Sequence, residues 1–401
     1  MYKIDCILDP KSEPWEIPLE MRCAMLRRSL AMGKKIALLL YESPDTSTFR
    51  YRGYNVMRAT EKSEKWQSIY FFLYEKDVIL EILHLVQLVV AIRVRWSRDV
   101  DQILCKARIQ AIKVLFDVDD LIFDIDCLNI VTNTLNVNFG SERDYEFWFG
   151  HIGRIGFTAS KADGFITTNK LLGQRLRDKF EKPYGIIVNS INQEQLEASE
   201  KCLEAKKTQK RKTPYTIGYF SGTPSHINDF NVVYKEIMTL LMEFPEMQLK
   251  VVGFMEFPSE MQPLIKQGRV KFTPLVNFIE LQRLIAQVDI NIVPLLNNIF
   301  TNCKSELKFF EAAIVDTITV ATPTFAYKNC IQDGVNGFLC QQGQWYERIK
   351  DIYLEKVECD ALIRNAHTYA MGNYCGERFI KMIEDCYDRF YYEDRENVLH
   401  G

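Results

Sequence analysis

The chain is poor in the signatures that announce whole classes of chemistry. It holds no Gly-x-Ser-x-Gly, no His-Glu-x-x-His and no Cys/His couple recognisable from spacing, so nothing points to a covalent serine or cysteine mechanism or to a zinc protease. Its eleven cysteines include no Cys-x-x-Cys or Cys-x-x-His spacing, which excludes a legible zinc site and fits reduced thiols of a cytosolic protein better than a disulfide frame. A basic excess is missing as well: 50 Lys and Arg face 53 Asp and Glu, a net charge of −3, which argues against a nucleic-acid partner. The opening residues, MYKIDCILDPKSEPWEIP, have no basic start followed by an apolar core, so no secretory leader is expected. The most apolar run, residues 78–94, is interrupted by Glu81, His84, Gln87 and Arg93 and is short for a bilayer. A cytoplasmic protein is expected, with peripheral contact at the inner face of a membrane left open.

What is present is length and alternation. At 401 residues, two domains are the default. Near-continuous apolar runs at 34–41, 68–73, 88–94, 112–117, 164–168 and 185–189 read as strands covered on both faces, with helix-like segments between them and an amphipathic helix at 14–32 ending at Gly33. A second series follows at 215–220, 248–253, 269–274, 289–294, 317–322 and 337–340. Strands alternating with helices predict an α/β chain of two Rossmann-like parallel-sheet domains. The boundaries expected are 1–193 for the first domain, 194–213 for a linker, 214–375 for the second domain, and 376–401 for an aromatic-rich helix packing back on the first. The charges of the linker, Lys206, Lys207, Lys210, Arg211 and Lys212, read as those of a solvated connector.

Four stretches carry candidate chemistry. Residues 304–338 come first. Read as a helix, 305–314 puts Leu307, Phe310 and Ile314 on one stripe and Lys304, Lys308 and Glu311 on the neighbouring face. Between two strand-like runs, that face opens at the carboxyl edge of a parallel sheet, where doubly wound folds bind ligands. Two ammonium groups suit a diphosphate and a carboxylate suits a sugar diol, although a solvated helix face carries the same pattern. The second stretch, Phe220-Ser-Gly-Thr-Pro-Ser-His226, is a strand-to-helix turn whose Ser221, Gly222, Thr223 and His226 suit a phosphate; an ordinary turn at Pro224 reads equally well. The third, Phe116-Asp-Val-Asp-Asp-Leu-Ile-Phe-Asp124, offers Asp119 and Asp120 as a general base or a sugar-hydroxyl contact, against a cation site or a helix cap at Asp120. The fourth contains Arg50, Tyr51 and Arg52, arginines beside an aromatic that suit a phosphate or sugar, or simple surface salt bridges.

Taken together these residues resemble the GT-B glycosyltransferases, in particular the family 4 type of bacterial surface polysaccharide assembly. The likeness runs over most of the chain. It is most specific at Lys304-Ser-Glu-Leu-Lys-Phe-Phe-Glu311, Thr319-Val-Ala-Thr322 and Asp333-Gly-Val-Asn-Gly337, which look like the donor-site helix, the strand after it and a glycine-bearing turn. The resemblance implies two domains facing across a cleft and a retaining, metal-independent transfer with no cofactor. Its implied partners are a nucleotide sugar as donor and a saccharide or lipid-linked saccharide as acceptor. By the same likeness Glu311 meets the donor ribose, Lys308 the diphosphate, and Lys304 the phosphate or sugar. Ser305 and Glu306 belong to that donor segment, Asp119, Asp120 and Lys308 are the catalytic candidates, and Arg50, Tyr51 and Arg52 the acceptor-binding ones. The chain departs from the family where many members carry a first glutamate, here Cys303, and it lacks the Arg and Lys that commonly follow the first donor-domain strand. A catalytically silent relative, a sugar-nucleotide epimerase and a metal-dependent transferase built on Asp117-Val-Asp119 are the alternatives.

Overall fold

A computed structural model describes residues 2, 4, 13–135, 137, 140–207, 214–222 and 226–399. Twelve strands form two parallel sheets. The first is built from β1 (Lys35–Tyr41), β2 (Trp66–Phe72), β3 (Leu88–Ile92), β4 (Lys113–Val118), β5 (Gly164–Thr167) and β6 (Tyr184–Ile186), in the order β2-β1-β3-β4-β5-β6. The second uses β7 (Tyr215–Ser221), β8 (Met247–Gly253), β9 (Val270–Thr273), β10 (Ile290–Val293), β11 (Ile318–Ala321) and β12 (Phe338–Leu339), in the order β12-β11-β10-β7-β8-β9. Every strand-like run of the sequence is therefore a strand. β1 to β5 are buried almost throughout, because helices cover both faces and leave no solvent side to alternate toward. Each sheet reverses its winding once, between β1 and β3 in the first and between β7 and β10 in the second, and each reversal opens a crevice at the carboxyl ends of its strands.

The helix at the start of the first domain spans Leu19–Ala31, and the chain leaves it through Gly33 at φ +79°, a backbone region costly for any side chain. The last described helix, Gly376–Leu399, returns to the first sheet. It buries Phe379, Ile383, Tyr387 and Phe390 in the first domain's core, each contributing about 1.5–3 kcal/mol by burial. Trp66 Nε1 donates to Asp388 Oδ1 at 2.8 Å, and the Ser68 and Tyr387 hydroxyls lie 3.1 Å apart.

Two local expectations give way. Residues 194–207 of the expected linker belong to the helix Gln193–Lys207, which packs on the helix Phe278–Gln287 with Gln195, Ala198, Ser199 and Cys202 buried. Lys206 is not a solvated charge. Its ammonium donates to the carbonyls of Val315 and Asp316, at 2.5 and 3.1 Å, and to Thr317 Oγ1 at 3.2 Å, and burial draws its pKa down to about 8 against the attraction of Asp316. Lys210, Arg211 and Lys212 lie outside the described residues. The expected helix over 305–314 is also shorter, Leu307–Ala313. Lys304 and Ser305 stand in the irregular turn before it and Glu306 at its N-cap, so Lys304 shares no helix face with Lys308.

Candidate active site

The two crevices face each other. The rim of the first is made by chain leaving β1, β3 and β4. After β1 the chain enters a wide, π-type turn, Arg50–Tyr54. Arg52 is wholly buried there: Nε and Nη2 donate to the two carboxylate oxygens of Asp117 at 2.8 and 2.7 Å, and Nη1 donates to the Ile187 carbonyl at 2.6 Å and to Asn189 Oδ1 at 3.1 Å. This side chain ties β4 to the chain beyond β6 and presents no donor to an acceptor, which corrects its reading as an acceptor contact. The two-oxygen engagement of Asp117 likewise leaves little for a cation bound between Asp117 and Asp119.

Arg93, directly after β3, is the rim residue that sequence reasoning missed. It has φ +49°, a strained value for an arginine. Its Nη1 donates to Thr48 Oγ1 at 2.6 Å and to Asp119 Oδ1 at 3.0 Å, and lies 3.6 Å from Asp120 Oδ2. Thr48 Oγ1 in turn donates to Asp119 Oδ2 at 3.3 Å. Asp119 is thus held by two partners, whereas Asp120 has only the looser ion pair. The Asp120 carboxyl is pushed up by burial and then by the charge of Asp119, while Lys304 and Arg93 oppose the rise. Lys304 reaches this carboxylate's field from the second domain, its ammonium 5.0 Å from the Phe300 ring centre. The only sequence signal for Arg93 was a charge closing an apolar run.

On the second rim, Ser221 ends β7, buried, and Gly222 is exposed. Gly253 packs so close that a Cβ would come within 1.7 Å of the Ser221 carbonyl, so that turn admits no other residue. Thr223 and the side chain of His226 lie outside the described residues. Lys308, in the first turn of Leu307–Ala313, sits at the winding reversal with its ammonium 5.4 Å from the Tyr219 ring centre. That ammonium is buried and finds no hydrogen-bond partner among the described residues. Burial draws its pKa down to about 8; Asp229 and Glu311 oppose the fall and Lys304 adds to it. A buried ammonium without a hydrogen bond is costly, and only the more distant charges of Asp229 and Glu311 offset that cost here.

Glu311, one turn on, is turned toward the first domain. Its Oε1 accepts from the hydroxyl of Tyr51 in a very short hydrogen bond, from Arg50 Nη2 at 3.4 Å and from Gln195 Nε2 at 3.3 Å. Arg50 and Tyr51, expected at an acceptor, therefore meet this carboxylate instead. Glu306 leaves the cleft altogether: buried, it accepts from the Tyr374 hydroxyl at 2.8 Å, and burial raises its pKa. Ser305 Oγ accepts from Asn189 Nδ2 at 3.0 Å, and the Cys303 carbonyl from Asn169 Nδ2 at 2.9 Å, so both serve the contact between domains. The Cys303 thiol itself is buried in the first domain's core, its pKa pushed up to about 12, and supplies nothing in place of a carboxylate. The structure thus gathers Lys304, Lys308, Asp119 and Asp120 around the cleft, and sets Glu306 and Arg52 elsewhere.

Residues 214–354 match the family described as glycosyl transferases group 1. The matched stretch lies within the second sheet's domain. No curated protein matches the sequence. Solved structures do match over most of the chain. HepE of Anabaena in complex with UDP is 14% identical, with a TM-score of 0.56 over 89% of this chain and 99% of that one. A glycosyltransferase from Rickettsia africae is 12% identical, with a TM-score of 0.58 over 90% and 99%. Sucrose-phosphate synthase of Thermosynechococcus elongatus is 10% identical, with a TM-score of 0.54 over 89% and 99%. At such identities the likeness is one of fold, and that fold is GT-B: two Rossmann-like domains across a cleft. No described helix is long and apolar enough to cross a membrane.

Proposed function

We propose that the chain moves a sugar from a nucleotide-diphosphate donor to a hydroxyl of a saccharide or lipid-linked saccharide, with retention and without a metal, in the manner of glycosyltransferase family 4. The observation that carries this is the buried ammonium of Lys308, without a hydrogen-bond partner among the described residues, at the winding reversal of the domain that matches the glycosyl transferases group 1 family, with Lys304 nearby. Breaking a sugar–phosphate bond develops negative charge on the departing diphosphate. A cation already desolvated and fixed stabilises that charge more than it stabilises the intact donor, and so lowers the barrier. On this reading Asp119 and Asp120, across the cleft, orient an acceptor hydroxyl, and the looser pairing of Asp120 with Arg93 supports it as the more available of the two. Glu311 meets the donor ribose. The UDP found in HepE supports a uridine nucleotide as the first donor to try. On this reading the protein works in the cytoplasm, reaching its acceptor at the inner membrane face.

The test is calorimetric titration with UDP, GDP, ADP and TDP, followed by product analysis with the sugar nucleotide of whichever binds. Binding followed by transfer to an added saccharide or lipid-linked acceptor is the expected result. Sugar inversion without acceptor would replace the transferase by an epimerase. A second reading, a catalytically silent relative, is favoured by Cys303 and by the sequestered Glu311; binding of no nucleotide would establish it.

A further inference from the structure

Glu311 is asked to hold a ribose, yet its carboxylate is already taken. Tyr51, Arg50 and Glu311 are 3%, 4% and 5% exposed, which leaves no room for a sugar beside that oxygen. The side chains that fill the place belong to the first domain and to the helix Gln193–Lys207. Arg50 lies over Tyr51, its guanidinium 4.0 Å from the ring centre, and 4.8 Å from that of Phe278. Its Nη2 donates to the Tyr51 hydroxyl at 2.6 Å and its Nη1 to Gln195 Oε1 at 3.3 Å. The Tyr51 ring meets Phe310 edge-on at 6.3 Å. A phenol hydroxyl donating to a carboxylate, backed by a flat apolar ring, reproduces what a ribose hydroxyl would offer.

We propose that Tyr51, braced by Arg50, is a displaceable plug that occupies the ribose position on Glu311 and must swing out before a nucleotide seats. The inference rests on the donor reading of Glu311 given above. The backbone is suited to such a movement. Tyr51 sits in the π-type turn Arg50–Tyr54, closed by the Asn55 amide on the Arg50 carbonyl, and this turn feeds directly into the helix Asn55–Thr60. A π turn tightening to α rotates the residues ahead of it about the helix axis and carries their side chains off their former partners. The Tyr51 amide donates to the Ser47 carbonyl at 3.4 Å, a long bond. Donor entry is thereby coupled to release of the contact between the domains, since both need the same carboxylate.

Tyr51→Phe keeps the ring on Phe310 and removes only the hydroxyl, so the variant should fold. The tightest binder among UDP, GDP, ADP and TDP is the probe. It should bind Tyr51→Phe about tenfold more tightly than the natural protein, the size of one hydrogen bond to a charged group. In the natural protein the same nucleotide should speed amide hydrogen exchange over residues 47–54. Equal or weaker binding by Tyr51→Phe, or slowed exchange in that segment, would overturn the plug while leaving the donor site standing. If neither protein binds any of the four, the donor reading falls and the plug with it.

Discussion

The two rims of the cleft treat charge in opposite ways. On the first, each arginine has its carboxylate: Arg52 is forked onto Asp117, and Arg93 holds Asp119 with Thr48 between them. On the second, the Lys308 ammonium is desolvated with no hydrogen-bond partner among the described residues, only the charges of Asp229 and Glu311 opposing its burial. A paired buried charge adds shape and fixes the backbone around it, whereas an unpaired one costs stability unless something arrives to neutralise it. The first rim is therefore finished architecture, and on the donor reading proposed above an arriving anion would complete the second.

The contrast can be broken most strongly on the finished side. Arg52→Ala strands the Asp117 carboxylate in the core and should cost about 3–5 kcal/mol in a denaturant titration; a loss below about 1 kcal/mol would mean the pair is not a structural tie. On the open side the sign reverses. Lys308→Met removes a buried charge, so stability at pH 7 should rise by about 1–3 kcal/mol while the transfer rate falls about a hundredfold or more. A variant both active and unaltered in stability would remove Lys308 from the mechanism. The smallest effect is in pH. Because burial lowers the pKa of Lys308 to about 8, the folded protein releases that proton more readily than the unfolded chain, and an anion binds only the protonated form. Nucleotide affinity should be level below pH 8 and fall about tenfold per unit above it, a slope read by calorimetry that Lys308→Met should abolish.

The strands were legible because doubly covered sheets demand unbroken apolar runs such as KIALLLY, and such runs stand out in any sequence. That Lys308 would stand between β10 and β11 was legible for a related reason, both being short apolar runs. What stayed hidden depends on contacts between distant parts of the chain. Tyr51 and Glu311 stand 260 positions apart, and no local pattern shows that one will fill the other's site. Lys206 read as a solvated charge because its partners, the carbonyls of Val315 and Asp316, are backbone atoms that leave no trace in composition. Lys304 was assigned to the wrong face because helical periodicity was extended across two residues that are not helical.

The helix Gly376–Leu399 bears on how the protein is made. Gly164 and Gly185 lie under it so closely that a Cβ on either would strike Phe390 or Cys386. A ribosome delivers Trp66 and Ser68 more than three hundred positions before Tyr387, which packs on them, and the whole second domain is translated in the interval. The nascent first half thus waits with an open aromatic wall, and its completion is timed by synthesis of the second.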